Sequence, residues 1–205
     1  MTVPSTRPAL VLACGALARE LTAIIKANNL NMVIECLPGE LHNRPDSIPA
    51  ALEARLDRLG DEYSQVLIGY ADCGTGGAID SLCERRGLSR LPGAHCYELF
   101  AGSGVFANLH NQEPGTFYLT DYLAKHFDRL VVKTLGLDRH PELHDLYFAN
   151  YRRLVLLSQT DEPSVLNAAR LAADRLGLSF EHRHCGYGGL QTSLVNLKPR
   201  LAAAL

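Results

Sequence analysis

The sequence predicts a single α/β domain over residues 1–205, built on a mainly parallel, doubly wound sheet of about six strands. Extended apolar runs alternate with segments of helical periodicity, which is typical of parallel strands joined by helices. A chain of 205 residues can also bury a core without disulfide bonds. We expect a helix-rich insertion over residues 97–151 to interrupt the alternation.

The first part of the chain contains three strand and helix pairs. The predicted strands are Ala9–Cys14, Asn31–Cys36 and Gln65–Tyr70, and the helices that follow them are Leu17–Asn28, Ser47–Leu59 and Ala78–Arg86. This order of elements indicates a sheet whose strands run in the same direction.

The rest of the chain adds three strands and the insertion. The predicted strands are Leu91–Cys96, Arg153–Ser158 and Leu178–His182, and the helices are Thr120–Leu135, Pro141–Tyr151 and Pro163–Leu176. Pro163 suits the first turn of its helix, where a backbone N–H would have no partner within the helix. We expect the Ala-rich end, residues 196–205, to be a frayed tail.

Composition and charge exclude several kinds of partner. The formal net charge is −2 and no basic run occurs, so we expect neither nucleic acid nor a membrane surface as a partner. The apolar run between Pro8 and Cys14 is shorter than the core of an export signal. We therefore expect a cytoplasmic protein whose six cysteines stay reduced and whose partner is a small molecule or a protein.

A ten-residue pattern, Cys-Gly-x-Gly-Gly-x-x-x-Ser-Leu, begins once at Cys73 and again at Cys185. Each copy follows a predicted strand and precedes a helix. A thiol at a helix N-terminus faces free N–H groups that stabilise the thiolate, so both cysteines are candidate catalytic residues. The backbone around these turns could also hold a cofactor, for which the candidates are Gly74, Thr75, Gly76 and Ser103.

Five of the six cysteines end or follow a predicted strand, and we expect them to share the sheet edge where α/β proteins bind ligands. Histidines occur in the same places. Thiolate and imidazole together suit Zn²⁺ or Fe²⁺. The predicted metal ligands are His42, Cys73, Cys96 and Cys185, with Cys14 and His184 in reserve.

Two other functions fit these residues. The two copies of the pattern could face each other across a substrate, one thiolate removing a proton and the other thiol delivering one, as in a cofactor-independent racemase. The chain could instead be a non-catalytic accessory protein that binds a metal or a small molecule. Metal content distinguishes the racemase from the metal-binding alternatives.

A set of motifs in a fixed order resembles an uncharacterised bacterial and archaeal family, catalogued as domain of unknown function 1638. The resemblance runs from about Ala9 to Asp121 and more weakly beyond. Members often carry His-Asp-Cys before a Gly-Ser, where this chain has Ala94-His95-Cys96. Cys96 matches the cysteine of that pattern, whereas His95 does not match its histidine. The motifs that carry the resemblance are Ala13-Cys14-Gly15, Leu41-His42-Asn43-Arg44-Pro45, Gly69-Tyr70-Ala71-Asp72-Cys73-Gly74, Gly102-Ser103 and Pro114-Gly115-Thr116-Phe117-Tyr118-Leu119-Thr120.

The resemblance implies a place in or beside corrinoid-dependent methyl transfer and one-carbon metabolism. The implied partner is a methyltransferase or a corrinoid protein. The sequence leaves open whether the chain forms a homo-oligomer. The sequence contains no Asp-x-His-x-x-Gly pattern, so we do not expect this chain to carry the corrinoid itself.

Overall fold

The computed structural model describes residues 7–196, which form two compact units. The first unit contains the described residues up to Cys96 together with those from Gly189 onward, and the second contains Tyr97–Gly188. Of the predicted tail, residues 197–205 lie outside the described residues. Among residues 7–196, no helix is both long and apolar enough to cross a membrane.

The first unit is built on a four-stranded parallel sheet with the strand order β2-β1-β3-β4. Its central strand β1 pairs with β2 on one side and with β3 on the other, so that Ala13 lies between Cys36 and Gly69. All six residues of β1 are buried, as expected for a central parallel strand. The strands are β1 Ala9–Cys14, β2 Met32–Leu37, β3 Val66–Gly69 and β4 Ser89–Arg90.

Three helices of the first unit connect these strands and contribute buried apolar side chains such as Leu21, Leu52 and Leu82. Glycines at both ends of the third helix, Gly77 and Gly87, adopt left-handed conformations that a residue with a Cβ rarely takes. The helices are α1 Ala18–Ala27, α2 Ser47–Leu56 and α3 Ala78–Arg86.

The second unit contains a separate three-stranded parallel sheet with the order β5-β6-β7. Helix α8 packs on this sheet through Val165, Ala169 and Ala173, which share a core with Leu154 and Leu156 of β6. The strands are β5 Thr116–Leu119, β6 Arg153–Ser158 and β7 Ser179–His184. The helices are α4 Cys96–Ala101, which begins at the unit boundary, α5 Ser103–Gln112, α6 Asp121–Lys125, α7 Leu143–Phe148 and α8 Pro163–Leu176, with a π-helical turn at Asp128–Val132. A last helix, α9 Gly188–Val195, starts at the other boundary.

The α/β class and the parallel strand direction are confirmed, but the prediction of one sheet of about six strands is wrong. The described residues form seven strands in two sheets. Sequence periodicity reports where strands lie and not which strands pair, because pairing depends on contacts between distant segments.

Three local predictions also need correction. The predicted strand Leu91–Cys96 is replaced by the shorter β4, and Cys96 instead begins a helix. The predicted helix Thr120–Leu135 divides into α6 and the π-helical turn. Strand β5 inside the insertion was not predicted, since its four residues are too few to show an alternation.

Candidate functional site

The order of strands in the first unit creates a crevice between β1 and β3. The chain leaves β1 to reach β2 on one side and leaves β3 to reach β4 on the other, so the loops after these two neighbouring strands diverge. Parallel α/β sheets bind ligands at such a switch point, at the carboxyl ends of the strands. Cys14 ends β1, and Tyr70 directly follows β3.

Cys14 is buried, and its sulfur contacts a histidine that lies far along the chain. The Sγ atom lies 3.5 Å from Nδ1 of His42 and accepts a 3.3 Å hydrogen bond from the amide of Ala16. His42 comes from a 3-10 turn, Gly39–Asn43, that follows β2, and its Nδ1 also lies 3.2 Å from the carbonyl oxygen of Gly39. The fold therefore joins the ends of β1 and β2 through a thiol and an imidazole.

Burial sets the protonation of this pair. It raises the pKa of the Cys14 thiol to about 12, although the amide of Ala16 opposes the shift. Burial also lowers the pKa of His42, and the neighbouring His95 acts in the same direction, while the Gly39 carbonyl opposes them. At neutral pH the pair therefore consists of a thiol and a neutral imidazole.

Tyr70 brings a buried hydroxyl to the same crevice. Its side chain is 1% exposed, and its ring stacks on His42 with ring centroids 6.0 Å apart. The hydroxyl oxygen makes no hydrogen bond of ordinary geometry, but it lies close enough to the Cys14 sulfur to act as a donor to it. Burial, with Cys14 and Cys73 nearby, raises the pKa of Tyr70, so the phenol keeps its proton and can donate it to a ligand.

Cys73 lies in the loop after β3 in a conformation that is unusual for a residue other than glycine. Its φ is +54°, and its amide donates a 2.8 Å hydrogen bond to the carbonyl oxygen of Ala94. Strained backbone of this kind costs about 1–3 kcal/mol and is concentrated at functional sites. Cys73 follows the carboxyl end of β3, and its charge raises the pKa of the Cys14 thiol, as does the charge of Cys36.

The expected activation of Cys73 by a helix N-terminus is not found. Helix α3 begins at Ala78, five residues after Cys73, so the N–H groups of its first turn do not reach the Cys73 thiol. Burial raises the pKa of Cys73 to about 11, and the carboxylate of Asp72 acts in the same direction, against the backbone of Ala71 and the charge of Arg90. The thiol is protonated at neutral pH.

The loop that holds the predicted cofactor-binding residues is tied to Asp72. The Asp72 carboxylate accepts hydrogen bonds from the amide of Gly76 at 3.3 Å and from the Thr75 hydroxyl at 2.9 Å. The Thr75 amide donates to the Asp72 carbonyl oxygen at 3.1 Å, and Gly74 is exposed. The amides of Thr75 and Gly76 are thus engaged within the loop.

The other predicted site residues belong to other elements of the chain. Cys96 is the first residue of α4 and belongs to the first unit. Ser103 is an exposed residue at the start of α5, in the second unit. Cys185 and His184 belong to the second unit, so the predicted single rim of cysteines is divided between two sheets.

The second copy of the repeated pattern differs from the first. Cys185 packs against a buried cluster that includes Leu109 and Val155, and burial raises its pKa, against the nearby Arg183. Here the left-handed residue is Gly186, with φ +58°, and not the cysteine. The two copies therefore provide different environments for their thiols.

The structure brings Cys14, His42 and Tyr70 together and places Cys73 in the loop that follows β3. Sequence reasoning selected His42 and Cys73, kept Cys14 in reserve and did not select Tyr70. The signal for Tyr70 was its place at the end of an apolar run, one strand away from Cys14. Within residues 7–196, no three His, Cys, Asp or Glu side chains already surround one point as metal ligands would.

Comparison with known proteins finds a family match. The chain is similar to a family model described as a protein of unknown function, DUF1638, over residues 36–194. No curated protein and no solved structure matches the chain. The match includes His42, Tyr70 and Cys73 of the crevice.

Proposed function

The chain belongs to the DUF1638 family of proteins of unknown function, and from the crevice of its first unit we propose that it binds a thiophilic divalent metal ion, Zn²⁺ before Fe²⁺. The observation that carries this proposal is the contact between the Cys14 sulfur and Nδ1 of His42 at the switch point of the sheet. The proposed ligands are Cys14, His42 and Cys73.

The separation of the Cys14 and His42 atoms suits two ligands of one zinc ion. Zn–S and Zn–N bonds of about 2.3 and 2.0 Å at a tetrahedral angle place sulfur and nitrogen about 3.5 Å apart. The observed distance is 3.5 Å. Binding through Nδ1 would require the imidazole to carry its proton on Nε2 and to give up its contact with the Gly39 carbonyl oxygen.

Cys73 would complete the ligand set by turning its thiol toward this pair. Three protein ligands leave a fourth position for a substrate, as in catalytic zinc sites. The buried Tyr70 hydroxyl, which lies beside the Cys14 sulfur, would donate a hydrogen bond to that sulfur or to an oxygen or sulfur atom of the substrate.

We propose, from the family resemblance, that this site transfers a methyl group from a carrier on a partner protein to a thiol. The thiol would release its proton to solvent, and its sulfur would bond to the methyl carbon as the bond to the carrier breaks and leaves its electron pair on the carrier. When bound, the metal lowers the pKa of a coordinated thiol while leaving it nucleophilic. The chain's own residues would hold the metal, exclude water and position the acceptor. A corrinoid would belong to a partner protein, because the sequence has no Asp-x-His-x-x-Gly pattern.

Metal titration of protein purified anaerobically without chelator tests the proposal. Wild-type protein is expected to bind about one Zn²⁺ per chain and to show thiolate-to-metal absorption with Co²⁺. Cys14→Ser and His42→Gln are each expected to weaken Zn²⁺ binding more than about 100-fold, since each removes a ligand. Cys73→Ser tests the third ligand, and Cys96→Ser and Cys185→Ser test the ligand set predicted from the sequence.

Cys36→Ser is the matched control. Cys36 pairs with Ala13 and so lies on the opposite face of the sheet from Cys14, where it is exposed. Its substitution is expected to leave Zn²⁺ affinity unchanged. A wild-type protein that takes up no near-stoichiometric metal after reconstitution would contradict the proposal, as would unchanged affinity in both Cys14→Ser and His42→Gln.

Zinc binding is expected to strengthen as the pH rises. The pKa values of Cys14 and Cys73 are raised to about 12 and about 11, so both thiols hold protons at neutral pH and release them on binding. The His42 pKa is lowered, so its imidazole releases none. Two released protons predict an affinity gain of about 100-fold per pH unit below the thiol pKa values.

Competition for Zn²⁺ with a chelator whose pKa values are known, between about pH 6.5 and 8.5, measures this dependence of affinity on pH. Proton release on adding Zn²⁺ to weakly buffered protein gives an independent count. A slope near zero would show that the ligands are not these two thiols.

A further inference from the structure

A cluster of serine, histidine and aspartate side chains occupies the carboxyl edge of the second sheet. Ser158 ends β6, and His182 and His184 are alternate residues of β7, so both imidazoles lie on the face of the sheet that carries Ser158. The Ser158 Oγ lies 2.9 Å from Nε2 of His182 and 3.3 Å from Nδ1 of His184. The carboxylate of Asp161 lies 3.0 Å from the same Nδ1.

One arrangement of hydrogen-bond donors and acceptors is favoured in this cluster. A carboxylate only accepts hydrogen bonds, so Asp161 favours a proton on Nδ1 of His184, and that N–H also faces the Ser158 oxygen. The Ser158 hydroxyl is then left to donate its own proton to Nε2 of His182. This is the contact that a nucleophile makes with its general base, and its length is within the range for such pairs.

A buried network fixes the loop that follows Ser158. Asp121, which is 2% exposed, accepts hydrogen bonds from the amides of Gln159 and Thr160, each at 3.0 Å. The Asp121 amide in turn donates to the side-chain oxygen of Gln159 at 2.9 Å. The position of Ser158 is therefore set by the protein before any ligand binds, as a reactive group requires.

A cavity of about 180 Å³ opens beside the cluster, and although Ser158 is only 1% exposed, it lines this cavity with His182. Leu156, Val165 and Leu166 form an apolar wall that suits a short acyl chain. Asp161 and Glu162 also line the cavity. Glu162 is paired with Lys125, so the Asp161 carboxylate is the group that disfavours a free acid relative to its neutral ester. Pro163 in the lining begins α8, whose N-terminal dipole favours the negative charge that develops on an attacked carbonyl oxygen.

We propose that Ser158 is the nucleophile of a second site, which hydrolyses esters of short carboxylic acids with His182 as the general base. Ser158 Oγ forms a bond to the acyl carbon while its proton passes to Nε2 of His182. The ester C–O bond breaks, and the leaving alcohol takes the proton from His182. Water then attacks the acyl-serine, gives one proton to His182, and the acid leaves as Ser158 regains its proton.

Labelling with a fluorophosphonate, which modifies activated serines, tests this site without a known substrate. The wild-type protein is expected to carry one adduct on Ser158, located by peptide mass spectrometry, and Ser158→Ala is expected to carry none. His182→Ala is expected to slow labelling by about 100-fold or more, because the general base is lost. Added imidazole should restore part of the rate, since His182 is exposed.

Ser179→Ala is the matched control, because Ser179 lies at the other end of β7 and its hydroxyl donates to the carbonyl oxygen of Arg152. It is expected to label at the wild-type rate. Circular dichroism and thermal melting verify that each variant is folded. The adduct is located in wild-type protein, so that result does not depend on the folding of any variant. Absence of an adduct on Ser158, or equal labelling rates in wild type and His182→Ala, would overturn the proposal. Neither result depends on metal binding in the first unit.

Discussion

Asp121→Ala is expected to lower the free energy of unfolding of the second unit by about 3–5 kcal/mol. The carboxylate accepts hydrogen bonds from the amides of Gln159 and Thr160 and a 2.6 Å bond from the Thr160 hydroxyl. Alanine would leave the buried Gln159 amide and the half-buried amide and hydroxyl of Thr160 without this acceptor. An unsatisfied buried donor costs about 1–3 kcal/mol, and the sum is reduced where water enters the space.

Urea denaturation followed by circular dichroism and tyrosine fluorescence measures this loss, with two transitions fitted where the two units unfold separately. Asp128→Ala is the matched control, because Asp128 is an exposed carboxylate whose ion pair with Arg175 contributes less than about 1 kcal/mol. Asp121→Asn keeps one acceptor oxygen and is expected to fall between the two. A loss below about 1 kcal/mol in Asp121→Ala would show that the loop after β6 is held by other contacts.

Gly69→Ala is expected to destabilise the first unit by about 2–3 kcal/mol. A Cβ at this position would lie 2.5 Å from the Cβ of Ala13 and 2.9 Å from its Cα, so the neighbouring strands β1 and β3 would have to separate. The backbone of Ala13, which is held in β1, cannot move aside as a flexible side chain can. Because these strands carry Cys14 and Tyr70, the same change is expected to weaken zinc binding.

The double variant Ala13→Gly with Gly69→Ala tests the cause. Removing the Ala13 Cβ relieves its contact with the new one, so the double variant is expected to recover part of the lost free energy of unfolding. Gly60→Ala is the control, since the nearest atom to a Cβ there is a flexible Glu62 oxygen at 3.8 Å. Equal destabilisation in the single and double variants would rule out the close approach of Gly69 and Ala13 as the reason.

Several elements could be predicted to the residue. Strand β1 is a continuous apolar run between Pro8 and Gly15, and α3 is bounded by glycines at both ends. Helix α8 begins at Pro163 and ends before Gly177, which is left-handed with φ +66°. These boundaries are local, because proline and glycine restrict or release the backbone without help from distant residues.

The candidate site could be predicted only in part. His42 and Cys73 were selected because their residue types and positions after strands suit metal binding. The contact of His42 with Cys14 joins residues 28 positions apart, and it exists because β1 and β2 are neighbours in the sheet. The role of Tyr70 and the left-handed backbone of Cys73 leave no periodic signal in a sequence.

The sequence by itself determined the α/β class, the position of most strands and helices, and the resemblance to the DUF1638 family that the family match confirms. These follow from hydrophobic periodicity, from glycine and proline, and from ordered motifs, all of which are properties of short segments.

Only the tertiary structure decided that the strands form two sheets, that Cys14 contacts His42, and that burial raises the thiol pKa values of Cys14 and Cys73. It also placed Ser158 against His182 at an edge where the sequence had suggested Cys185 and His184 as metal ligands. Strand pairing and burial depend on segments that are distant in the chain and adjacent in space. For this reason no local pattern could reveal them.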